Sequence, residues 1–331
     1  MPTPALANTR RRYVEVCAGA GGWGLGLHRA GWTGTGLEMA APAVETHRRN
    51  VGPCLQCDVT LVSPPHGADL VCGGVPCQPF SIAGRREGLN DPRGLLFGAL
   101  LRLAGEADAR AVAMENVRGL VWLGALPLVL EAFRNNGFEP VYSLLNAADY
   151  GVPQARVRLF IVGFRDAWAL RRFRWPAPTH GAPGNILGLP PWRTMASALG
   201  LASGIADVLD APSLTVTAGG VGAESHTGGA EVFFNPQYRA KVRAALRLAG
   251  LLDRPATTVD CNGSISAAGH HVSNKAGAVS LPPRAVAAIQ GFPGDFAFTG
   301  TRREQHLQAG NALPPTLGEV VSRAIGDALY G

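Results

Sequence analysis

No stretch of this 331-residue chain approaches the roughly 18 consecutive apolar residues that a membrane-spanning helix requires, so no such span is expected. Charge is also sparse: 16 % of residues are Asp, Glu, Lys or Arg, against 47 % hydrophobic. That balance leaves ample apolar surface to bury and excludes a disordered acidic or basic tail. Cysteine is limited to six residues (Cys17, Cys54, Cys57, Cys72, Cys77 and Cys261), too few for a disulfide framework at this length. The opening MPTPALANTRRRYVEV lacks the basic-then-apolar layout of a secretory signal, because Arg10, Arg11 and Arg12 run straight into a strand-like segment. A cytoplasmic protein is expected.

Glycine, in contrast, is plentiful, at 43 residues against a usual share of about 7 %. It has no three-residue period, so tight turns and not collagen are implied. The formal net charge of +6 suits an anionic partner but carries little weight alone.

Short apolar runs alternate with helical stretches through the first half. Tyr13–Ala18, Trp32–Glu38, Ala68–Gly73 and Ala109–Met114 read as buried strands, and Pro42–Asn50, Gly94–Gly105 and Leu128–Asn136 as helices between them. That order predicts an α/β fold with a doubly wound, mostly parallel sheet. Val141–Ala147 and Val157–Phe164 read as a strand pair. After about Trp175 the chain becomes rich in Pro, Gly, Ser and Thr, which marks a change of domain. Pro283–Gln290 and Pro315–Leu329 read as helices near the end.

Several segments carry chemistry. Gly19, Gly21 and Gly24 follow the first strand and open a helix, so backbone could approach a ligand there. Glu38, at the end of the second strand, could accept both ribose hydroxyls of NAD or of an adenosyl sulfonium cofactor. Cys77 stands between Pro76 and Pro79 just beyond the third strand, where open α/β sheets bind ligands. It is a candidate nucleophile, and the prolines argue for a rigid loop over a packed core position. Glu115 leaves the next strand at the same edge, in reach for proton transfer. Arg156 and Arg158, two residues apart, share a strand face and could meet phosphate, a carbonyl or a carboxylate. Cys54 and Cys57 could be half a zinc site, but no second pair follows. The arginines 165, 171, 172 and 174, interleaved with Trp168, Phe173 and Trp175, read equally as a phosphate-contacting strip or as solvated surface.

Taken in order, VCAGAGG (16–22), Glu38, Asp58, GGVPCQPFS (73–81), DPRGLLF (91–97), MENV (114–117), QARVR (154–158), IQGFPGDF (289–296) and QAGNALPP (308–315) resemble the prokaryotic DNA (cytosine-5) methyltransferases. The set spans most of the chain. Only the interval from about Arg165 to Leu281 lacks strong motifs, and in that family this interval recognises the target. One departure is Cys17, where the family carries an aromatic that stacks on the cofactor's adenine; that contact is expected to be weaker or to come from elsewhere.

The resemblance implies a Rossmann-like methyltransferase fold with a smaller, irregular β-rich recognition domain. It implies a discontinuous catalytic domain over 1–178 plus 304–331, with recognition over 179–303. S-Adenosyl-L-methionine would be the cofactor, lined by Ala18, Gly19, Gly22, Glu38, Met39, Asp58, Val59, Pro76, Leu96, Asn311 and Ala312. Cys77, Glu115, Arg156 and Arg158 would be catalytic, with Arg156 at the base carbonyl. Gln78, Ser81, Arg85, Arg86, Asn116 and Gln154 would face double-stranded DNA. A monomer without metal is expected, with a companion restriction endonuclease as a further possibility. A tRNA cytosine or the exocyclic amino nitrogen remain alternative acceptors. Ser63-Pro64-Pro65-His66 is noted for the latter, although it precedes its strand. An NAD oxidoreductase would leave Pro-Cys-Gln and MENV unexplained. A non-catalytic DNA-binding module would not need Cys77 and Glu115 intact.

Overall fold

The computed structural model describes residues 11–64, 67–76, 94–122, 124–199 and 282–331. Chain order runs β1 (Arg11–Val16), α1 (Gly22–Arg29), β2 (Trp32–Glu38), α2 (Ala41–Asn50), β3 (Cys54–Gln56), β4 (Leu70–Gly73), α3 (Gly94–Glu106), β5 (Ala111–Val117), α4 (Gly119–Trp122) and α5 (Leu126–Asn135). It continues through β6 (Glu139–Asn146), a short 3-10 turn, β7 (Val157–Phe164), α6 (Ala167–Arg172) and α7 (Met195–Ala198). Three helices close it: α8 (Pro283–Ile289), α9 (Arg302–Asn311) and α10 (Pro315–Tyr330).

The strands form one seven-stranded sheet in the order β3-β2-β1-β4-β5-β7-β6. β1 to β5 run parallel, and β7 lies antiparallel to both β5 and β6. The order reverses between β1 and β4, so the crevice outside their carboxyl ends is the place where such sheets take ligands. The doubly wound, mostly parallel sheet read from the sequence is therefore present. β3, absent from that reading, is too short to show a period and forms by pairing Gly36 with Cys54. β5 runs on to Val117, because Glu115, Asn116 and Val117 pair with Phe160, Leu159 and Arg158 of β7.

Alternation along the strands builds a core on each face. Val14, Val16, Val71, Val112, Met114 and Ile161 meet Phe97, Leu100 and Leu103 of α3 and Phe133 of α5 on one side. Tyr13, Leu70, Cys72, Ala113, Phe160 and Val162 meet Trp23 and Leu27 of α1 and Leu317, Val321 and Ile325 of α10 on the other. The C-terminal helix thus returns to the first strands. Its approach to α1 is unusually close: a Cβ added at Gly26 would lie 2.5 Å from the Glu319 nitrogen. Trp23 and Trp32 then donate their indole N–H groups to the Ser322 hydroxyl and carbonyl, each at 3.1 Å.

Both ends of the stretch 179–303 are tied to this frame. Thr179 and His180 donate backbone N–H groups to the Asp149 carbonyl, and the Trp192 indole donates to the Asp149 carboxylate at 2.8 Å. At the other end Asn50 exchanges hydrogen bonds with the Ala297 backbone, and the Thr299 hydroxyl meets Pro42 and Thr46.

Candidate active site

The carboxyl ends of β1, β2 and β3 carry the first group of residues. After β1 the chain turns sharply through Cys17 and Gly19, with φ of 54° at both, and Gly21 at 90°. Cys17 is a strained choice for a left-handed position. A Cβ at Gly22 would lie 2.2 Å from the Leu313 carbonyl oxygen, whereas one at Gly19 would meet nothing within 4 Å. The turn is packed on one side and open on the other. Glu38 stands across from it. Its carboxylate accepts the N–H groups of Gly19 (2.9 Å), Met39 (2.9 Å) and Ala40 (2.8 Å), which fixes both oxygens beside the turn.

Asp58 follows β3, next to β2, where Cys57 N–H donates to the Glu38 carbonyl. It is exposed, and two bonds from Thr60 hold its carboxyl below the usual range. Ala18 and Val59 are buried beneath, Met39 is exposed, and Leu96 packs on the core from α3. Asn311 ends α9 and Ala312 follows it; Asn311 is exposed, and Ala312 packs against the cluster of Ala20, Ala287, Phe292 and Phe296. Burial, with Glu38 nearby, pushes the Cys17 thiol up to about 12.

The second group lies at the ends of β4, β5 and β7. Glu115 and Arg158 share a sheet face, since Arg158 pairs with Val117 and Glu115 is two residues back. Arg158 Nε lies 2.9 Å from Glu115 Oε1, and both side chains are nearly buried, at 12 % and 14 % exposure. Burial lowers the Arg158 pKa and the Glu115 carboxylate opposes that shift. The other Glu115 oxygen faces Gly74, where an added Cβ would approach it to 3.1 Å. Gly74 is three residues before Cys77 in the chain. Asn116 donates from Nδ2 to the Val75 carbonyl at 2.9 Å, while its Oδ1 accepts Val117 N–H. Neighbouring residues of β5 therefore face Gly74 and hold Val75, immediately before the exposed Pro76.

Cys77, Gln78, Ser81, Arg85 and Arg86 lie outside the described residues. The structure brings together Glu115 and Arg158, and separately Gly19, Gly22, Glu38 and Asp58. Among the described residues no ion pair joins Arg156 to Glu115, although the Glu115 charge opposes the fall in the Arg156 pKa. Arg156 is buried, and its Nη1 donates to the Gly310 carbonyl at 3.2 Å. Burial, with Arg158 beside it, brings its pKa down to about 9. Asn116 and Gln154 are also buried, not displayed on a surface. Arg165 lies at the opposite end of β7 from Arg158, about 23 Å away at the usual strand rise. The arginine strip that it begins is therefore remote from this site. Arg165 itself covers the Phe138 ring, and Arg172 the Trp168 ring. Among the described residues, no group of three or more His, Cys, Asp or Glu side chains could hold a metal ion.

Glu15 and His47 escaped the sequence reading. Both are buried beneath the glycine turn, with His47 Nε2 3.7 Å from Glu15 Oε2. The signal available was an acid inside an otherwise apolar strand, which demands a partner.

A doubly wound sheet whose order reverses at β1/β4 and whose β7 alone runs antiparallel is the architecture of an α/β methyltransferase. The chain belongs to the C-5 cytosine-specific DNA methylase family, whose model matches residues 11–218 and 222–327. It is 32 % identical over 334 residues to the Type II methyltransferase M.NaeI of Lentzea aerocolonigenes, covering 96 % of this chain and 75 % of that protein. It is 32 % identical over 338 residues to M.NgoMIV of Neisseria gonorrhoeae, covering 96 % and 97 %. The fold is shared with the S. pombe Dnmt2 methyltransferase, at a TM-score of 0.62 and 15 % identity over 97 % of this chain and 100 % of that one.

Proposed function

We propose that the chain methylates carbon 5 of one cytosine in a specific duplex DNA sequence, with S-adenosyl-L-methionine as donor and Cys77 as nucleophile. The observation that carries this reading is the Glu115 carboxylate, held by Arg158 and set against Gly74 at the root of the Cys77 loop.

The residues at the first group fit the donor. Gly19 leaves open space beside the turn, and the Glu38 carboxylate is anchored on the Gly19 N–H, where ribose hydroxyls could donate to it. Asp58 would take the adenine amino group, and Asn311 and Ala312 would close the site from α9. When bound, the cofactor supplies an electrophilic methyl group on a sulfonium.

The target base must leave the duplex, at a cost of a few kcal/mol. The Cys77 thiolate bonds to carbon 6, and the ring electron pair moves to carbon 5. Glu115 holds ring nitrogen 3 and gives it a proton as charge develops there, which lowers the barrier. Arg158 fixes the Glu115 carboxyl in place. Carbon 5, made nucleophilic by Cys77 and Glu115, would then accept the methyl group that a bound sulfonium donor would supply. Water then takes the carbon 5 proton, the Cys77–carbon 6 bond breaks with its electron pair returning to sulfur, and ring nitrogen 3 gives its proton back to Glu115 as the aromatic ring returns.

Recognition is assigned to the interval 179–303. That interval includes Arg239, Arg243 and Arg254, candidates for contact with base edges or phosphates. The enzyme acts as a cytoplasmic monomer, with a companion endonuclease reading the same sequence. The test is expression in a methylation-free host, followed by sequencing that resolves the modified base. One sequence carrying 5-methylcytosine is expected, lost in Cys77→Ser. An N4-methyl product, or methylation confined to tRNA, would replace this reading.

A further inference from the structure

The last turn of a helix leaves carbonyls without intrahelical partners. In α9 two of these, on Ala309 and Gly310, are taken by side chains from distant parts of the chain. Gln290 donates from Nε2 to Ala309, and Arg156 donates from Nη1 to Gly310. Both side chains are buried, at 0 % and 3 % exposure. Among the described residues no carboxylate pairs with Arg156, and its Nε is buried without a partner. A buried guanidinium at a helix C-terminus is favoured by the partial negative charge there, and it is not free to meet a base.

The two donors come from different structures. Arg156 belongs to the turn entering β7, two residues before the Arg158 that holds Glu115. Gln290 caps α8, the first described helix after residues 200–281. Immediately beyond the two carbonyls the chain turns through Asn311 and Ala312 and presses the Leu313 carbonyl against Gly22.

We propose that Arg156 and Gln290 are positioning residues for the cofactor: together they brace the last turn of α9, so that Asn311 and Ala312 stand at the cofactor cleft. The inference rests on the cofactor site described above. It also gives the recognition interval a physical line to that site, because α8 carries one half of the brace.

The test is calorimetric titration of S-adenosyl-L-methionine into the full chain without DNA, for wild type, Arg156→Met, Arg156→Lys, Gln290→Met, Arg158→Met and Asn311→Ala. Loss of a hydrogen bond to a charged group predicts roughly 10- to 100-fold weaker binding in Arg156→Met. Arg156→Lys should recover part of it, Gln290→Met should weaken binding about tenfold, and Arg158→Met should bind as wild type does. With DNA, Arg156→Met should raise KM for the cofactor and keep kcat at saturation, whereas Arg158→Met should lose kcat. Wild type that does not bind the cofactor would remove the cofactor-site reading and this inference with it. If Asn311→Ala weakens binding while Arg156→Met and Gln290→Met do not, the brace alone is overturned. The brace is also overturned if both brace variants lose their cooperative melting transition, since their role would then be global stability.

Discussion

Arg158 and Glu115 are diagonal neighbours across the β5–β7 ladder, 2.9 Å apart and nearly buried. A parallel strand in the place of β7 would deliver its amino end at the far edge of the sheet, away from Glu115. The antiparallel return of β7 is what puts an arginine at its beginning beside an acid near the end of β5. The fold's single reversed strand therefore serves the site directly, and the pair couples proton transfer to the geometry of the sheet.

The first expectation concerns that pair. Glu115→Gln keeps size and hydrogen bonding but removes the proton donor, and should lower kcat by about 10²–10⁴-fold. Arg158→Met leaves the Glu115 carboxylate without its partner and should lower kcat comparably. The double variant should lose less than the sum, because both changes disable one unit. Single-turnover methylation at saturating DNA measures this; additive losses would separate the two residues.

Asn116 offers a second test. Its side chain is spent on the Val75 carbonyl, so Asn116→Leu should leave that acceptor unpaired and loosen the chain two residues before Cys77. A cost of about 1–3 kcal/mol in unfolding free energy is expected. Trapping of the enzyme on DNA containing 5-fluorocytosine should slow while sequence preference stays the same. Altered sequence preference with an unchanged trapping rate would return Asn116 to a DNA-reading role.

The third expectation is steric. Gly22→Ala places a methyl 2.2 Å from the Leu313 carbonyl, and a backbone oxygen cannot rotate away. The junction between α1 and the 311–313 turn must open. Overpacking of this kind costs about 1–3 kcal/mol. Because the displaced turn holds Asn311 and Ala312, cofactor affinity should fall with the melting temperature. Calorimetry and thermal melts on the same preparation check both.

Much of this arrangement was legible from residues alone. Gly-rich turn, strand-end acids and Pro-Cys loop are local patterns, and alternating apolar runs gave the sheet. α9 was missed although Thr301 and Glu304 form a capping box, whose T-x-x-E spacing is visible in the sequence. Its low apolar content left the helix without a periodic signal before the QAGNALPP motif. The different fates of Arg156 and Arg158 were not legible. Period-2 alternation puts both on one face, and only the Gly310 carbonyl, 154 residues further on, draws Arg156 away. Glu15 posed the opposite problem: its position was plain, but its partner His47 lies on α2, beyond any local pattern.

That buried acid supplies the fourth expectation. Burial raises the Glu15 carboxyl pKa, the nearby His47 imidazole opposes the rise, and Glu38 adds to it. A carboxyl whose folded value exceeds its unfolded one binds more protons in the native state. Its contribution to stability is full below the ordinary carboxyl range and is lost as pH rises through the folded value. Glu15→Gln cannot titrate, so its melting temperature should gain on wild type as pH is raised from about 4 to about 8. Since His47 Nε2 is 3.7 Å from the same carboxylate, the comparison should be repeated in a His47→Gln background, where the gain should be larger because the opposing partner is gone. Thermal melts across the pH series measure it. Parallel curves for Glu15→Gln and wild type would mean that Glu15 titrates alike in the folded and unfolded chain, and burial beneath the glycine turn would then not govern its charge.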